Sequence, residues 1–369
     1  MSDKLLYRIA LTLVKGIGPV TARQLVTHLG DESAIFKEKS ATLQKIPGIG
    51  RNTAAEITSA KVMQRAQEEI LFIESGKIVP LFFTDADYPQ RLLACEDAPV
   101  MIYQKGQPVL NRPKVISIVG TRRITEQGRI NCEKFIEELA ALFGEVVIVS
   151  GMAYGTDICA HRAALRHNLP TVGVMAHGLD RIYPPPHRQT AVEMLNNGAL
   201  LSEFISGTEP DKPNFVKRNR IVAGLADAVV VIESGIKGGA LITAKLASSY
   251  NRDVMAFPGP VNEPMYEGCH WMIKHNLAAL TERAKDLSLH LGWEARGTNQ
   301  HAVQAKLFVD FNTPEEQTIY QCLIKEREIN INTLCNKTQL PISKVSAILL
   351  NFEFDGLVKS LPGNHYRVV

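Results

Sequence analysis

The sequence predicts an α/β fold: a doubly wound, mostly parallel sheet, with a helical domain before it and a small helix-and-hairpin domain after it. Three observations predict this. From Lys114 to about residue 280, short β-branched runs alternate with helix-length amphipathic segments, the βαβα pattern of a parallel sheet. The run Ala228–Ile232 is apolar throughout, as strands covered on both faces are. Glycines and arginines gather at the carboxyl ends of the runs, where doubly wound sheets hold their ligands.

A length of 369 residues suggests two or three domains, and 45% hydrophobic residues suffice for packed cores. The net charge of +3 is too small to argue for nucleic acid by itself, so local clustering has to carry that claim. Six cysteines (95, 132, 159, 269, 322, 335) show neither a CxxC pair nor zinc spacing, which points to a reduced, cytoplasmic chain. Tyr7 and Arg8 interrupt the apolar N-terminal stretch and no small-residue cleavage site follows, which argues against a signal peptide. No run approaches the length of a membrane span, so no membrane partner is expected.

Residues 1–70 read as short helices, near 3–14 and 19–29 around the turn Lys15-Gly16-Ile17-Gly18-Pro19. A second turn, Ile46-Pro47-Gly48-Ile49-Gly50, leads into a helix from about Asn52. The repeated Gly-apolar-Gly resembles the helix-hairpin-helix motif, whose turn N–H groups face DNA phosphates without sequence preference. Arg23 and Arg51 are placed to help. Close helix packing is the other reading of the same glycines. Residues 71–113 form a connector with an apolar run at 78–83, a turn at 85–89, a strand near 99–103 and a Pro-containing boundary at 106–113. Strands are expected at 115–119, 146–149, 171–175, 200–202, 228–232 and 253–257. The clearest helix, 129–143, puts Cys132, Ile136, Leu139 and Phe143 on one face.

The strand ends carry the chemistry. The first ends in Gly120-Thr121-Arg122-Arg123, a nest-like turn with two guanidiniums. The second ends in Ser150-Gly151, with Thr156 or Asp157 placed to cap the next helix. The third leads through a rigid loop, 178–184, to His187 and Arg188. The fourth leads through Glu203 to a basic loop: Lys212, Phe215, Lys217, Arg218, Asn219 and Arg220, with no acid between 212 and 220. A helix-compatible stretch, 221–225, follows. The fifth strand ends in a glycine-rich turn, with Lys237, Gly238 and Gly239 opening a helix near Ala240. A strand, a glycine turn and a helix N-terminus favour an anion. Glycines alone also fit an ordinary βα turn, and the neighbouring cations tip the reading toward a phosphate backbone.

Residues 281–312 show little periodicity, and a linker is expected at 291–312, between a sheet domain at 114–290 and a last domain at 313–369. In that last domain, helices at 314–325, 331–337 and 343–354 precede a hairpin across Pro362-Gly363-Asn364, the order of a winged helix. Val345, Leu349 and Phe352 face inward. The third helix offers Lys344 but also Glu353, with Asp355 after it, a poor surface for phosphates, so DNA binding and a protein-docking or purely structural role all stay open.

Seven motifs in order, Gly120-Thr121-Arg122-Arg123, Ser150-Gly151 with Gly155-Thr156-Asp157 and Ala160-His161, Gly178-Leu179-Asp180 with Tyr183-Pro184-Pro185, Leu201-Ser202-Glu203, the stretch Arg218 to Leu225, the stretch Gly239 to Ala244, and Pro258-Gly259, resemble the DNA-processing protein A (DprA/Smf) family. The similarity is close over 114–280 and extends to the flanking domains. It implies a Rossmann-like core and a single-stranded DNA-binding homodimer of natural transformation, which protects incoming DNA and loads the RecA recombinase. By position, the resemblance gives Arg122 a phosphate, and Arg188 and Lys212 further basic contacts. Phe215 falls near the bases, and Arg218 and Asn219 line the same pocket. The sequence departs from the family at Tyr154, where Arg is frequent, and at Gly239, where Ser is.

The competing reading is an enzyme like the lysine-decarboxylase-like phosphoribohydrolases, whose PGGxGTxxE loop ends in a catalytic Glu. Here the loop from Gly238 to Thr243 has no acid after it, and Lys245 is the next charged residue. Gly120-Thr121-Arg122 lacks dinucleotide-binding spacing. No Ser–His–Asp or metal-ligand cluster is readable, so no catalytic residue, metal or cofactor is expected. Asp157, Asp180, Glu203 and Glu233 near the strand ends remain open, either as a catalytic pair or as caps and arginine partners.

Overall fold

The computed structural model describes residues 3–295, 311, 313–326, 328–361 and 365–368. The chain divides into two compact units, 1–296 and 297–369. The first is built on a nine-stranded sheet: β1 (Val79–Phe82), β2 (Met101–Gly106), β3 (Val115–Val119), β4 (Val147–Ser150), β5 (Thr171–Val174), β6 (Ala199–Ser202), β7 (Ala228–Val231), β8 (Asp253–Ala256) and β9 (Ala279–Leu280). Their order is β1-β2-β6-β5-β4-β3-β7-β8-β9. Every neighbouring pair from β6 to β9 is parallel, and only β2 runs against its neighbours. The chain leaves β3 on one side for β4, β5 and β6, then returns to the other side for β7. The topological switch therefore lies between β3 and β7, where such sheets open a crevice at their carboxyl ends.

Both faces of the central strands are buried, which is why their sequences are apolar without alternation. Val115 and Val119 of β3 and Val229 and Val231 of β7 pack with Ile221 and Val222 of the helix Lys212–Gly224. The intervening Ile116, Ile118 and Val230 pack with Phe135, Ile136 and Leu139 of the helix Glu126–Phe143. Ser117, the polar exception, is fully buried and donates to the Val222 carbonyl at 2.6 Å.

In the helical N-terminal part the two glycine turns share one backbone form. Gly16 and Gly48 both adopt φ +86°, and Gly18 and Gly50 precede the helices Pro19–Leu29 and Arg51–Ile57. Each turn glycine faces the other repeat: the nearest atoms to Gly16 belong to Thr53 and those to Gly48 belong to Thr21. Arg23 is engaged within the fold. Its guanidinium lies over the Phe83 ring and reaches the Ala98 carbonyl, tying these helices to the sheet.

Three expectations change. The connector contributes β1 and β2, and Phe82, Met101 and Tyr103 share a core with the N-terminal helices. The stretch from 281 onward is not all linker. It contains the helix Asp286–Leu291, held where the Asp286 carboxylate accepts the Glu282 and Arg283 N–H groups, and Trp293 stacks edge-on against Phe143. Elements this short carry no period to read. Residues 296–310 and 312, the rest of the expected linker, lie outside the described residues. Finally, the basic stretch is the helix Lys212–Gly224 rather than a loop. Asp211 at its N-cap and Pro213 in its first turn are ordinary start signals.

The second unit has helices Pro314–Glu326, Ile331–Thr338 and Ile342–Phe354 around Ile319, Leu323, Leu334, Val345 and Leu349. Strands β10 (Glu328–Asn330), β11 (Val358–Leu361) and β12 (His365–Val368) pair in the order β10-β12-β11, so a third strand joins the expected hairpin. The Pro362-Gly363-Asn364 turn lies outside the described residues. Lys344 pairs with Glu315 at 2.7 Å.

Phe135 is 1% exposed and meets Phe257 edge to face at 5.4 Å across β8 and the helix Glu126–Phe143. Phe135→Ala is expected to cost about 3–5 kcal/mol, read as the shift in the urea midpoint. A loss below about 1 kcal/mol would show that this face of the sheet is not the packed core described.

Candidate nucleic-acid interface

At the switch point a pocket of about 580 Å³ opens. Its walls come from the ends of β3, β4 and β7 and from the helix Lys212–Gly224. The end of β3 is held from two sides. The Thr121 N–H donates to the Glu233 carbonyl at 2.8 Å, and the Thr121 carbonyl accepts the Thr156 N–H at 3.1 Å. Thr156 and Asp157 do not cap their helix, whose N-cap is Gly155; Thr156 bonds back to Thr121 and Asp157 accepts the Ala153 N–H. Gly151 is indispensable for space. A Cβ there would lie 1.8 Å from Arg218 Nη1 and 2.3 Å from Asp157 Oδ2, so these opposite charges close over it.

Helical periodicity sorts the basic stretch. Lys212, Phe215, Asn219 and Val222 recur at three and four residues and face the pocket, with Arg218 at its floor. Lys217 and Arg220 face away. Both pair with Glu203, Arg220 also donating to the Asp97 carbonyl, and Lys217 lies over the Phe204 ring. Arg220 is thus a buried strut rather than a ligand contact. Burial raises the Glu203 pKa, opposed by Arg220 and Lys217.

Of the other residues expected at the site, Gly120, Thr121, Arg122, Gly151, Gly238 and Gly239 line the pocket. Ser150 does not: it is fully buried and donates to the Ile118 carbonyl, stitching β4 to β3. Arg123 and Lys237 lie on the adjoining loops outside the lining. Arg188 opens the helix Arg188–Met194 and lines a separate groove of about 400 Å³ with Lys105. Tyr154 is half exposed and stacks on His187.

The pocket is cationic. Among the described residues, no ion pair involves Arg122, Arg123, Arg188, Lys212 or Lys237. Asp157 is the one acid among the described residues that line the pocket, and burial pushes its carboxyl up against the pull of Arg218. The same burial pushes Arg218 down. The Arg122 guanidinium lies 5.2 Å from the Phe215 ring centroid, and Tyr183 flanks that ring at 6.1 Å. Phe215 is half-buried and belongs to no core cluster, so its ring is a wall of the pocket.

Comparison with known proteins bears on this arrangement. Residues 80–292 match the sequence profile of DNA recombination-mediator protein A, residues 310–364 that of the DprA winged helix domain, and residues 9–60 that of a SAM-like helix-hairpin-helix tandem. The chain belongs to the DNA recombination-mediator protein A family. It is similar to the protein Smf of Synechocystis, 32% identical over 98% of both chains. It is also similar to the DNA processing protein DprA of Streptococcus pneumoniae, 39% identical over 56% of this chain and 73% of that one. The solved S. pneumoniae DprA superposes with a TM-score of 0.60 at 28% identity, over 78% of this chain and 98% of that one. A Helicobacter pylori DNA processing protein A, described for its single-stranded DNA binding mode, superposes with a TM-score of 0.52 at 29% identity, over 58% and 95%.

Sequence reasoning missed what holds the loops of this family member in place. Three buried histidines bond the carbonyls of strand-end loops: His161 Nε2 to Gly151 at 2.5 Å, His187 Nδ1 to Met152 and His177 Nδ1 to Gly178, each at 2.7 Å. Burial lowers all three pKa values, His161 to about 4. A depressed folded-state pKa means that the unfolded chain binds the proton first. Stability is therefore full above the unfolded value of about 6.5 and is lost as pH falls toward 4. His161 alone is expected to withdraw roughly 3 kcal/mol across that window. Urea midpoints at pH 7 and 4.5 test this: His161→Gln should show the smaller loss on acidification. Equal losses would mean that His161 is not held neutral by burial.

Proposed function

We propose that the chain binds single-stranded DNA at the switch-point pocket, protects incoming strands during natural transformation, and loads the RecA recombinase onto them. The observation that carries the binding step is Arg122 and Lys212, neither ion-paired with an acid among the described residues, in one lining with the half-buried ring of Phe215. Cations alone favour duplex, which has the higher charge density. An aromatic face rewards unstacked bases and turns the preference toward single strands. Membership in a recombination-mediator family supports the loading step, and the relative from H. pylori supports the choice of single strands. The protein acts as a homodimer in this reading: β9 ends the sheet, and Leu277 and Leu280 are exposed beside it. It works as a binder rather than a catalyst. Glu203 is spent on Arg220 and Lys217, and the Glu233 carboxylate accepts from the Thr125 N–H and hydroxyl.

Fluorescence anisotropy on single- and double-stranded oligonucleotides tests the binding step. Arg122→Ala and Lys212→Ala should each weaken single-strand binding by about 1–3 kcal/mol, indifferent to base sequence. Phe215→Ala should lower single-strand affinity, leave duplex affinity nearly unchanged and keep the melting temperature. Cation variants that bind like wild type at moderate salt would place the site elsewhere. Light scattering should return twice the 40.7 kDa chain mass, and RecA filament growth on strands bound by a single-strand-binding protein should quicken in its presence. A monomer, or no acceleration, would remove the corresponding step.

A further inference from the structure

The floor of the pocket holds more charge than a passing strand needs. Arg218 is 5% exposed, and although its Nη1 donates to the Val174 carbonyl at 2.8 Å, its buried Nε has no acceptor among the described residues. Arg122 is close enough that its charge adds to the lowering of the Arg218 pKa, so two guanidiniums repel one another across this floor. The helix Gly239–Ser249 also begins here, at Gly238, with no side-chain cap on its first N–H groups. A buried guanidinium with a spare donor and an uncapped helix N-terminus meet in one cavity, and both favour an anion.

We propose that this floor is a subsite for a phosphomonoester dianion, carried by a strand terminus or by a free nucleotide. The inference rests on the strand-binding reading above and adds what lies beneath the strand. Charge selects the ligand. Arg122, Lys212 and Arg218 against Asp157 leave two positive charges in the lining. A phosphomonoester above its second pKa of about 6 carries about two negative charges, whereas an internucleotide diester carries one. Access selects it too. A diester continues as chain on both sides and stays at the rim with Arg122 and Lys212. A terminal phosphate has a single ester link, so its three free oxygens can turn toward the part of Arg218 that the cavity leaves open. The volume of about 580 Å³ suits a nucleotide-sized group.

The test compares one oligonucleotide with a 5′-phosphate, a 3′-phosphate or hydroxyls at both ends, by anisotropy above pH 7, with thymidine 5′-monophosphate as competitor. A strand terminus as ligand predicts about tenfold tighter binding of one phosphorylated form, with the mononucleotide a weak competitor. A free nucleotide as ligand predicts saturable binding of the monophosphate, but not of thymidine, even without DNA. Gly239→Asp is the decisive variant. A Cβ at 239 meets nothing within 4 Å among the described residues, and a carboxylate in the first turn suits the helix, so the variant is expected to fold while the phosphate is repelled. It should reduce the terminal-phosphate preference to within about twofold, as should Arg218→Met where thermal melting shows a folded protein. Equal binding of all three oligonucleotides, with no binding of the monophosphate, overturns the subsite and leaves strand binding standing. Failure of every oligonucleotide to bind overturns both.

Discussion

The pocket depends on how the ends of β3 and β7 are joined through Glu233. This residue is fully buried one position beyond Ile232, and it works through both its backbone and its side chain. Its carbonyl takes the Thr121 N–H, and its carboxylate takes the Thr125 N–H and hydroxyl. The loop after β3 is thereby pinned to the neighbouring strand over five residues. Thr125 in turn caps the helix Glu126–Phe143 by accepting the Gly128 N–H. A buried carboxylate is tolerable only when its oxygens are bonded. Here that requirement forces the loop carrying Arg122 into one conformation, facing Phe215 across the crevice.

A second layer of the same logic holds the loops after β4 and β5. Their carbonyls cannot reach a strand partner at the sheet's edge of order, and a buried orphan acceptor costs about as much as a lost hydrogen bond. Neutral imidazoles from His161, His187 and His177 supply the donors. Lysine would bring a charge into the same space. Imidazole brings a donor that burial keeps neutral, at the expense of acid stability. Cations can then crowd the outer rim over the buried Arg218 and Asp157 without the histidines adding further charge beneath it.

Much of this was legible in the sequence. The runs at 115–119, 171–175 and 228–232 appear as β3, β5 and β7 to within a residue, because strands buried on both faces have little freedom in composition. The gathering of strand-end residues around one pocket was legible because strand-end positions in a doubly wound sheet converge whatever loops join them. Two things were not. The helix Asp286–Leu291 is held by the Asp286 carboxylate, which accepts the Glu282 and Arg283 N–H groups just upstream, and by a single buried leucine, Leu287, too few residues to show a period. The role of Glu233 was also hidden, because a carboxylate after a strand reads alike as clamp, cap or catalyst until its partners are seen.

The basic stretch shows most sharply why charge along a chain differs from charge in space. Lys217, Arg218 and Arg220 are nearly contiguous in sequence, yet a helix sends successive residues about 100° apart. Glu203, at the end of β6, collects Lys217 and Arg220. Arg122, nearly a hundred residues upstream, instead joins Lys212 and Arg218 in one lining. The useful cations are therefore those that no carboxylate of the fold has claimed. Their number is decided by the acids around them, so a local count of Lys and Arg overstates the positive charge that the helix presents to the pocket.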